Sequence, residues 1–313
     1  MTRARTTFTN KHFPAQKSNV NYKAAALLCW LTCPLLANAQ NIDFDSLEVT
    51  TIAVTDSIYV LQFPRGGNLG LSLGEDGTLL IDAHFEATSD KVTAAIAALT
   101  DRPVDFIINS HFHFDHTGGN KVFGPAGSTI VSQDQTRKRM ESDRYISAAD
   151  TIQEGYEGSA LPKITFFDSM RFYYNGQTVD LLYHGPGHTD GDAQVYFHEA
   201  NVFHTGDLFV RYGLPFIDRG NGGSMDGMID GLWAVAGLVD NSTKIIPGHG
   251  QVATRDDLIE FHDMLVTIRS RIEEGINKGL SWEQILETRP ARDFAETDNE
   301  TNTWLLETYQ EYR

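Results

Sequence analysis

Six consecutive residues, His111-Phe112-His113-Phe114-Asp115-His116, put four metal-capable side chains in one place, in a chain of 313 residues with eleven histidines. Residues i and i+2 of an extended segment point to the same side, so His111 and His113 can grip one ion together. Asp115 and His116 fall past the strand, where the chain turns, and can face a second ion. Three further stretches share the arrangement of an apolar run that ends in a turn bearing His or Asp: LLYHGPGHTDGD (181–192), VFHTGDLF (202–209) and KIIPGHG (244–250). Donors collected at the ends of buried strands suit a site on one rim of a sandwich, where strands fix the ligands and loops leave a face open. Imidazole and carboxylate without thiolate favour zinc, with iron or manganese as alternatives.

The elements that must position these donors can be read in order. From residue 48 the period is that of strands, with SIYVLQFP (57–64), NLGLSLG (68–74) and GTLLIDAHF (77–85) separated by Gly66-Gly67 and by the hairpin turn Glu75-Asp76-Gly77. Residues 88–100 read as a helix capped by Thr88 or Ser89. VDFIINS (104–110) is a buried strand running straight into His111, TGGNKVFG starts a short helix, and STIVS (128–132) is another buried strand. QDQTRKRMES reads as helical, and residues 143–163, with Gly155, Gly158 and Pro162, as an irregular insertion. A second set of strands follows: ITFFDS, MRFYYNG, QTVDLLYH, AQVYFHEA and NVFHTGD. A helix spans 224–239, Thr254 opens a long helix whose apolar residues step by three or four from Leu258 to Ile276, and Ser281 to Gln284 form a capping box for another. The whole reads as one domain of two packed sheets with outer helices.

The N-terminus is set apart. Residues 1–23 carry five basic residues and no acid, and an apolar run follows, ending in Ala37-Asn38-Ala39. This describes a signal peptide over residues 1–39, a periplasmic or secreted location and no membrane attachment after cleavage. Cys29 and Cys33 both lie inside it, so the mature chain has no thiol. Loss of five basic charges takes the formal net charge from −17 to −22. So acidic a surface repels phosphate backbones, which argues against a nucleic-acid partner and for a small-molecule substrate.

His-x-His-x-Asp-His at 111–116, Gly187-His188-Thr189, Gly206-Asp207 and Gly248-His249, in that order and each after an apolar strand, resemble the metallo-β-lactamase superfamily over about residues 48–252. The resemblance implies an α/β fold, a four-layer αββα sandwich forming a single domain over residues 40–313. It implies that His111, His113 and His188 hold a first metal, that Asp115, His116 and His249 hold a second, and that Asp207 bridges them. Asp82, at the end of LLIDAH, matches a buried aspartate that orients ligands. Thiolate-containing β-lactamases have cysteine where this chain has Asp207, and commonly lysine where it has Val210. The set is closer to the glyoxalase II and lactonase type.

Two zinc ions so held, roughly 3.5–4 Å apart, share a water and lower its pKa toward ~7. The resulting hydroxide attacks a carbonyl whose oxyanion one ion stabilises, with Asp115 both a ligand and the group that orients the nucleophile. The expected reaction is hydrolysis of an ester, thioester, lactone or amide. One alternative is a β-lactamase. Another is an oxidoreductase resembling the persulfide dioxygenases, which share the motif at 111–116 but bind a single iron. A metal-binding module without catalysis is a third. His184 and His204, on apolar strands beside ligands, read as core or ligand-orienting histidines. Asn68, Phe209, Arg211, Tyr212, Phe216 and Asn221 are candidates for the substrate mouth.

Overall fold

The period-two alternation of the sequence becomes two β-sheets packed face to face. The structure, a computed structural model, describes residues 42–313, and the leader expected over residues 1–39 lies outside the described residues. β1 (Thr50–Ala53), β2 (Ile58–Gln62), β3 (Leu69–Leu73) and β4 (Thr78–Ile81) form an antiparallel meander. After α1 (Ser89–Ala97), β5 (Phe106–Asn109) lies parallel to β4. Its end leads into the single turns α2 (Phe114–Thr117) and α3 (Asn120–Phe123). Parallel β6 (Thr129–Gln133) and α4 (Asp134–Met140) follow. β7 (Arg144–Ile146) and β8 (Thr151–Gln153) form a separate hairpin, and β9 (Ile164–Phe166) completes the first sheet beside β6.

The second sheet takes β10 (Ser169–Tyr174), β11 (Gln177–Leu182), β12 (Gln194–Phe197) and β13 (Val202–Val210) antiparallel, then β14 (Lys244–His249) parallel to β13. α5 (Met225–Leu238) is the crossover between those last two. The chain ends in α6 (Arg255–Asn277), α7 (Trp282–Glu287) and α8 (Asn299–Glu311).

Alternate strand residues sort into layers. Ile58, Val60, Leu79, Ile81, Ile108 and Val131 of the first sheet meet Val179, Leu181, Val195, Val202 and Ile246 of the second. Leu61, Leu80, Ile107 and Ile130, one residue out of step, face Val92 and Ile96 of α1 instead. Phe203 and Ile245 pack under α5, α6, α7 and α8. This is the αββα sandwich, and its inner strands, such as β4 and β5, read as continuous apolar runs because both faces are covered.

Three readings of the sequence change. ITFFDS supplies β9 of the first sheet rather than the second, because it continues the parallel series β4-β5-β6. The segment 143–163 is built rather than irregular: with Met140 it encloses Phe112, through Ile146, Ala149, Tyr156 and Ala160. α8 has no counterpart in the sequence reading. Its N-cap is Asp298, whose carboxylate accepts from Thr301 N at 2.7 Å.

Candidate metal centre

Seven donors converge where the ends of β4, β5, β13 and β14 meet the loop between β11 and β12. Nε2 of His111, Nδ1 of His113 and Nε2 of His188 form one triad: Nδ1 of His113 lies 3.1 Å from the first and 2.9 Å from the last. Asp115, His116 and His249 form a second. Oδ2 of Asp115 is 3.5 Å from Nε2 of His249 and 3.7 Å from Nε2 of His116. Asp207 stands between the triads, with Oδ2 at 3.2 Å from His249 and 3.6 Å from His188, and Oδ1 at 3.2 Å from His116.

Local backbone explains the placement. The i, i+2 relation of His111 and His113 holds across the coil that leaves β5. His113 then caps α2, whose single turn carries Asp115 and His116. β13 and β14 slip register around Gly206, and the bulge re-aims Asp207 into the rim. The approach of β14 is close: a Cβ on Gly248 would lie 1.9 Å from Oδ1 of Asp207. At the end of β4, Asp82 and His84 take left-handed backbone, φ +60° and +59°, in a turn whose Ala83 amide donates to the His116 carbonyl at 2.6 Å. Non-glycine residues adopt that region at a cost.

The outward nitrogens of four rings are each engaged, which fixes their tautomers. Nδ1 of His116 donates to Asp82 Oδ2 at 2.8 Å, and Nδ1 of His111 to Ser110 Oγ at 3.0 Å. Ser110 in turn donates its hydroxyl and its amide to the two oxygens of Asp82, both at 2.7 Å. Nδ1 of His188 donates to the Phe216 carbonyl at 2.7 Å, and Nε2 of His113 to Asp218 Oδ2 at 2.9 Å. The remaining nitrogens face the cluster, where a bound metal would displace any proton and take their lone pairs.

Burial holds His111 well below the ordinary imidazole range, helped by the charge of His116, and burial lowers His188 to about 4. For His116 and His249 burial also opposes the charge, but Asp207 and Asp115 outweigh it and raise both. Asp207 is held well below the usual carboxylate range; burial pushes the other way and the charges of His249 and His116 prevail.

The donor set fits a metal. Oδ2 of Asp115 and Oδ1 of Asp207 are buried and accept no hydrogen bond. An unsatisfied buried acceptor costs about 1–3 kcal/mol, more when charged, and a cation relieves both. Donor type, convergence and these two oxygens make this a metal-binding site.

The other expected residues divide. Tyr212 and Phe216 flank the cluster, half-buried: Phe216 stacks on His113 at 5.8 Å and Tyr212 lies 5.6 Å from His249. Arg211 is beside them, with its amide on the His249 carbonyl at 3.0 Å and its guanidinium on Asp257 at 3.1 Å. Asn68, Phe209 and Asn221 do not reach the mouth. Asn68 is buried and its amide donates to the Pro247 and Gly250 carbonyls at 2.8 and 2.7 Å, tying β3 to β14. Phe209 is in the core against Phe261. Asn221 is buried, its amide donating to Asp218 and to the Tyr145 carbonyl.

His204, buried and lowered by burial, accepts the Gly206 amide at 3.1 Å and so props the bulge that carries Asp207. His184 bonds Gln194 at 2.8 Å, one residue pair removed from the His188 loop. His84 is wholly buried, held by Thr88 and the Arg65 carbonyl.

Sequence reasoning missed Ser110, Asp218 and Asp192. Asp192 accepts the Thr189 amide and hydroxyl, and its burial raises it to about 7. Nothing in spacing marks Asp218, which lies 105 residues from His113.

A family model described as the metallo-beta-lactamase superfamily matches residues 63–249. Among curated proteins, the beta-lactamase-like protein 2 homolog of Caenorhabditis elegans is 22% identical over 209 residues, covering 64% of this chain and 61% of that protein. A hydroxyacylglutathione hydrolase of Pelagibacter ubique is 26% identical over 161 residues, 50% of this chain and 56% of that one. A probable metallo-hydrolase of Methanocaldococcus jannaschii is 23% identical over 182 residues, 56% and 84%. The chain thus spans less than two thirds of the nematode and Pelagibacter proteins.

Two solved structures share the fold. A metallo-beta-lactamase from Pontibacter korlensis has TM-score 0.56 at 19% identity, covering 70% of this chain and 99% of that one. The DIM-1 metallo-beta-lactamase has TM-score 0.57 at 14% identity, covering 71% and 99%. The family match runs from Phe63 to His249 and so takes in every donor of the cluster: this chain belongs to the metallo-beta-lactamase superfamily of hydrolases.

Proposed function

We propose that the protein is a dinuclear zinc hydrolase that cleaves a carbonyl-centred bond in a small, largely uncharged substrate. The observation that carries this reading is the position of Asp207, whose two oxygens reach His188 of one triad and His116 and His249 of the other. His111, His113 and His188 would hold one ion, Asp115, His116 and His249 the other, and Asp207 both. Ions so bound supply Lewis acidity, acidifying a water and polarising a carbonyl. Asp115 orients the attacking water, and Phe216 and Tyr212 form an apolar mouth that excludes bulk solvent.

Substrate charge follows from what surrounds the mouth. Arg211 is already paired with Asp257, and a mature chain of net charge −22 repels anions. The name hydroxyacylglutathione hydrolase carried by relatives favours thioesters; the acidity ranks uncharged lactones and esters ahead of the anionic glutathione conjugates. Export through the leader over residues 1–39 belongs to the same reading, and places the substrate in the periplasm or outside the cell.

The test is turnover by the zinc-loaded chain of a lactone, an aryl ester, a thioester, a cephalosporin and a phosphodiester. A kcat/KM above ~10⁴ M⁻¹s⁻¹ on the lactone or ester is expected. That rate on the cephalosporin alone would make the protein a β-lactamase, and oxygen uptake with one iron per chain would overturn hydrolysis.

A further inference from the structure

The two triads are held from different sides, and one of them leans on the C-terminal helix. The segment Pro215–Ser224 lies between α8 and the first triad, and its contacts alternate. Toward the triad, the Phe216 carbonyl accepts from His188 and the Asp218 carboxylate from His113. The Asp218 and Ser224 amides donate to the His188 and Gly187 carbonyls, both at 2.8 Å. Away from it, the Pro215 carbonyl accepts Nε1 of Trp304 at 2.6 Å. Arg219 spans Glu311 at 3.0 Å, Thr308 at 3.2 Å and Glu307 at 3.4 Å. The second oxygen of Glu311 accepts the Ser224 hydroxyl at 3.1 Å and the Met225 amide at 2.9 Å. Pro215 and Arg219, the anchored residues, directly adjoin Phe216 and Asp218, the residues that hold ligand rings.

The second triad has other supports: Asp82 behind His116, which reaches His111 as well through Ser110, and strand β14 itself for His249. Glu311 ends α8 and Glu307 stands one turn before it, toward the end where the helix dipole disfavours anions. Their placement there is intelligible as a tertiary contact rather than as helix stabilisation.

We propose that α8, through Glu311, Arg219 and Trp304, is a positioning element for the His111-His113-His188 triad and sets the affinity of that ion and not of the other. The proposal rests on the two-ion reading above. The test uses the metal-free full chain and zinc titrated in competition with a chromophoric chelator. Glu311→Ala is placed in a His249→Ala background, which leaves the first triad, and in a His188→Ala background, which leaves the second. Loss of a ligand's direct partner costs roughly 10–100-fold in affinity. One step removed, Glu311→Ala is expected to weaken zinc about 10-fold in the first background and less than about twofold in the second, with the metal-free melting transition retained.

Equal weakening in both backgrounds, or none in either, overturns the proposal. If Glu311→Ala does not fold, Trp304→Phe keeps an aromatic side chain in the core, removes the bond to Pro215 and is read by the same pair of titrations. An unsubstituted chain that binds a single zinc refutes the two-ion reading and this proposal with it. Two zinc ions in that chain with no selectivity in the variants refute this proposal alone.

Discussion

Replacing Asp82 by asparagine should weaken metal binding by breaking the hydrogen-bond pattern behind His116 and by removing a buried negative charge. Asp82 receives three donors: Nδ1 of His116 at 2.8 Å, and the Ser110 hydroxyl and amide at 2.7 Å each. A carboxylate accepts all three. An asparagine has one acceptor oxygen and one NH₂. With the NH₂ toward His116, Nδ1–H faces a donor and the ring is driven to the tautomer that places its proton at Nε2, inside the cluster. With the amide flipped, the NH₂ faces the Ser110 N–H. The metal-free chain takes the first arrangement, whereas metal binding at Nε2 needs the second, which leaves the Ser110 N–H unsatisfied and costs about 1–3 kcal/mol, or roughly 5- to 150-fold in affinity. Asparagine tolerates left-handed backbone as aspartate does, so the φ of +60° at this residue adds no strain of its own. Zinc titration of the metal-free variant against a chromophoric chelator reads the loss. An affinity within threefold of the parent, with the fold intact, would refute the role of Asp82 as the group that sets the His116 proton.

Gly248→Ala tests the close approach of β14. Its Cβ would meet Oδ1 of Asp207 at 1.9 Å and the Asp207 amide at 2.8 Å, so the carboxylate must move, and metal content below that of the parent is expected; an unchanged zinc-to-protein ratio would show that the strand yields instead. Phe112→Ala empties the pocket that Met140, Ile146 and Tyr156 build around a fully buried ring; urea unfolding should show a loss of about 3–5 kcal/mol, and a loss under about 1 kcal/mol would contradict the packing. His84 carries a pH signature. Burial lowers it from 6.5 to about 3, so below pH 6.5 the unfolded chain binds a proton that the folded chain refuses. The stability it contributes is full above pH 6.5 and is lost as the pH falls toward 3. Urea unfolding of metal-free parent and His84→Gln at pH 7 and pH 5 should show the parent losing about 2 kcal/mol more than the variant, and parallel losses would refute it.

Much of the sandwich was legible because its strands obey simple periodicity. Runs such as VDFIINS and KIIPGHG are apolar on both faces, and the donors sit at their ends, where the sequence changes character. The long helix from Thr254 announced itself by its cap and stepping apolar face. The supports of the site were not legible, since Asp218, Ser110 and the Phe216 carbonyl act on rings far along the chain or through the backbone. The mouth was partly misread for a related reason. Asn68, Phe209 and Asn221 stand near ligands in sequence, but the pleat and the tight turns direct their side chains into the core or onto backbone carbonyls. Tyr212 and Phe216 face the cluster because the chain after β13 turns back over His249 and His188.

The central claim is that seven residues form two metal sites joined by Asp207, and metal counting by site tests it most directly. The full chain, its His188→Ala and His249→Ala variants and the double variant are loaded with zinc, freed of excess by dialysis and analysed by mass spectrometry for zinc per chain. Two, one, one and none are the expected values. A single zinc in the parent that survives His249→Ala, or one iron in place of zinc, would contradict the account.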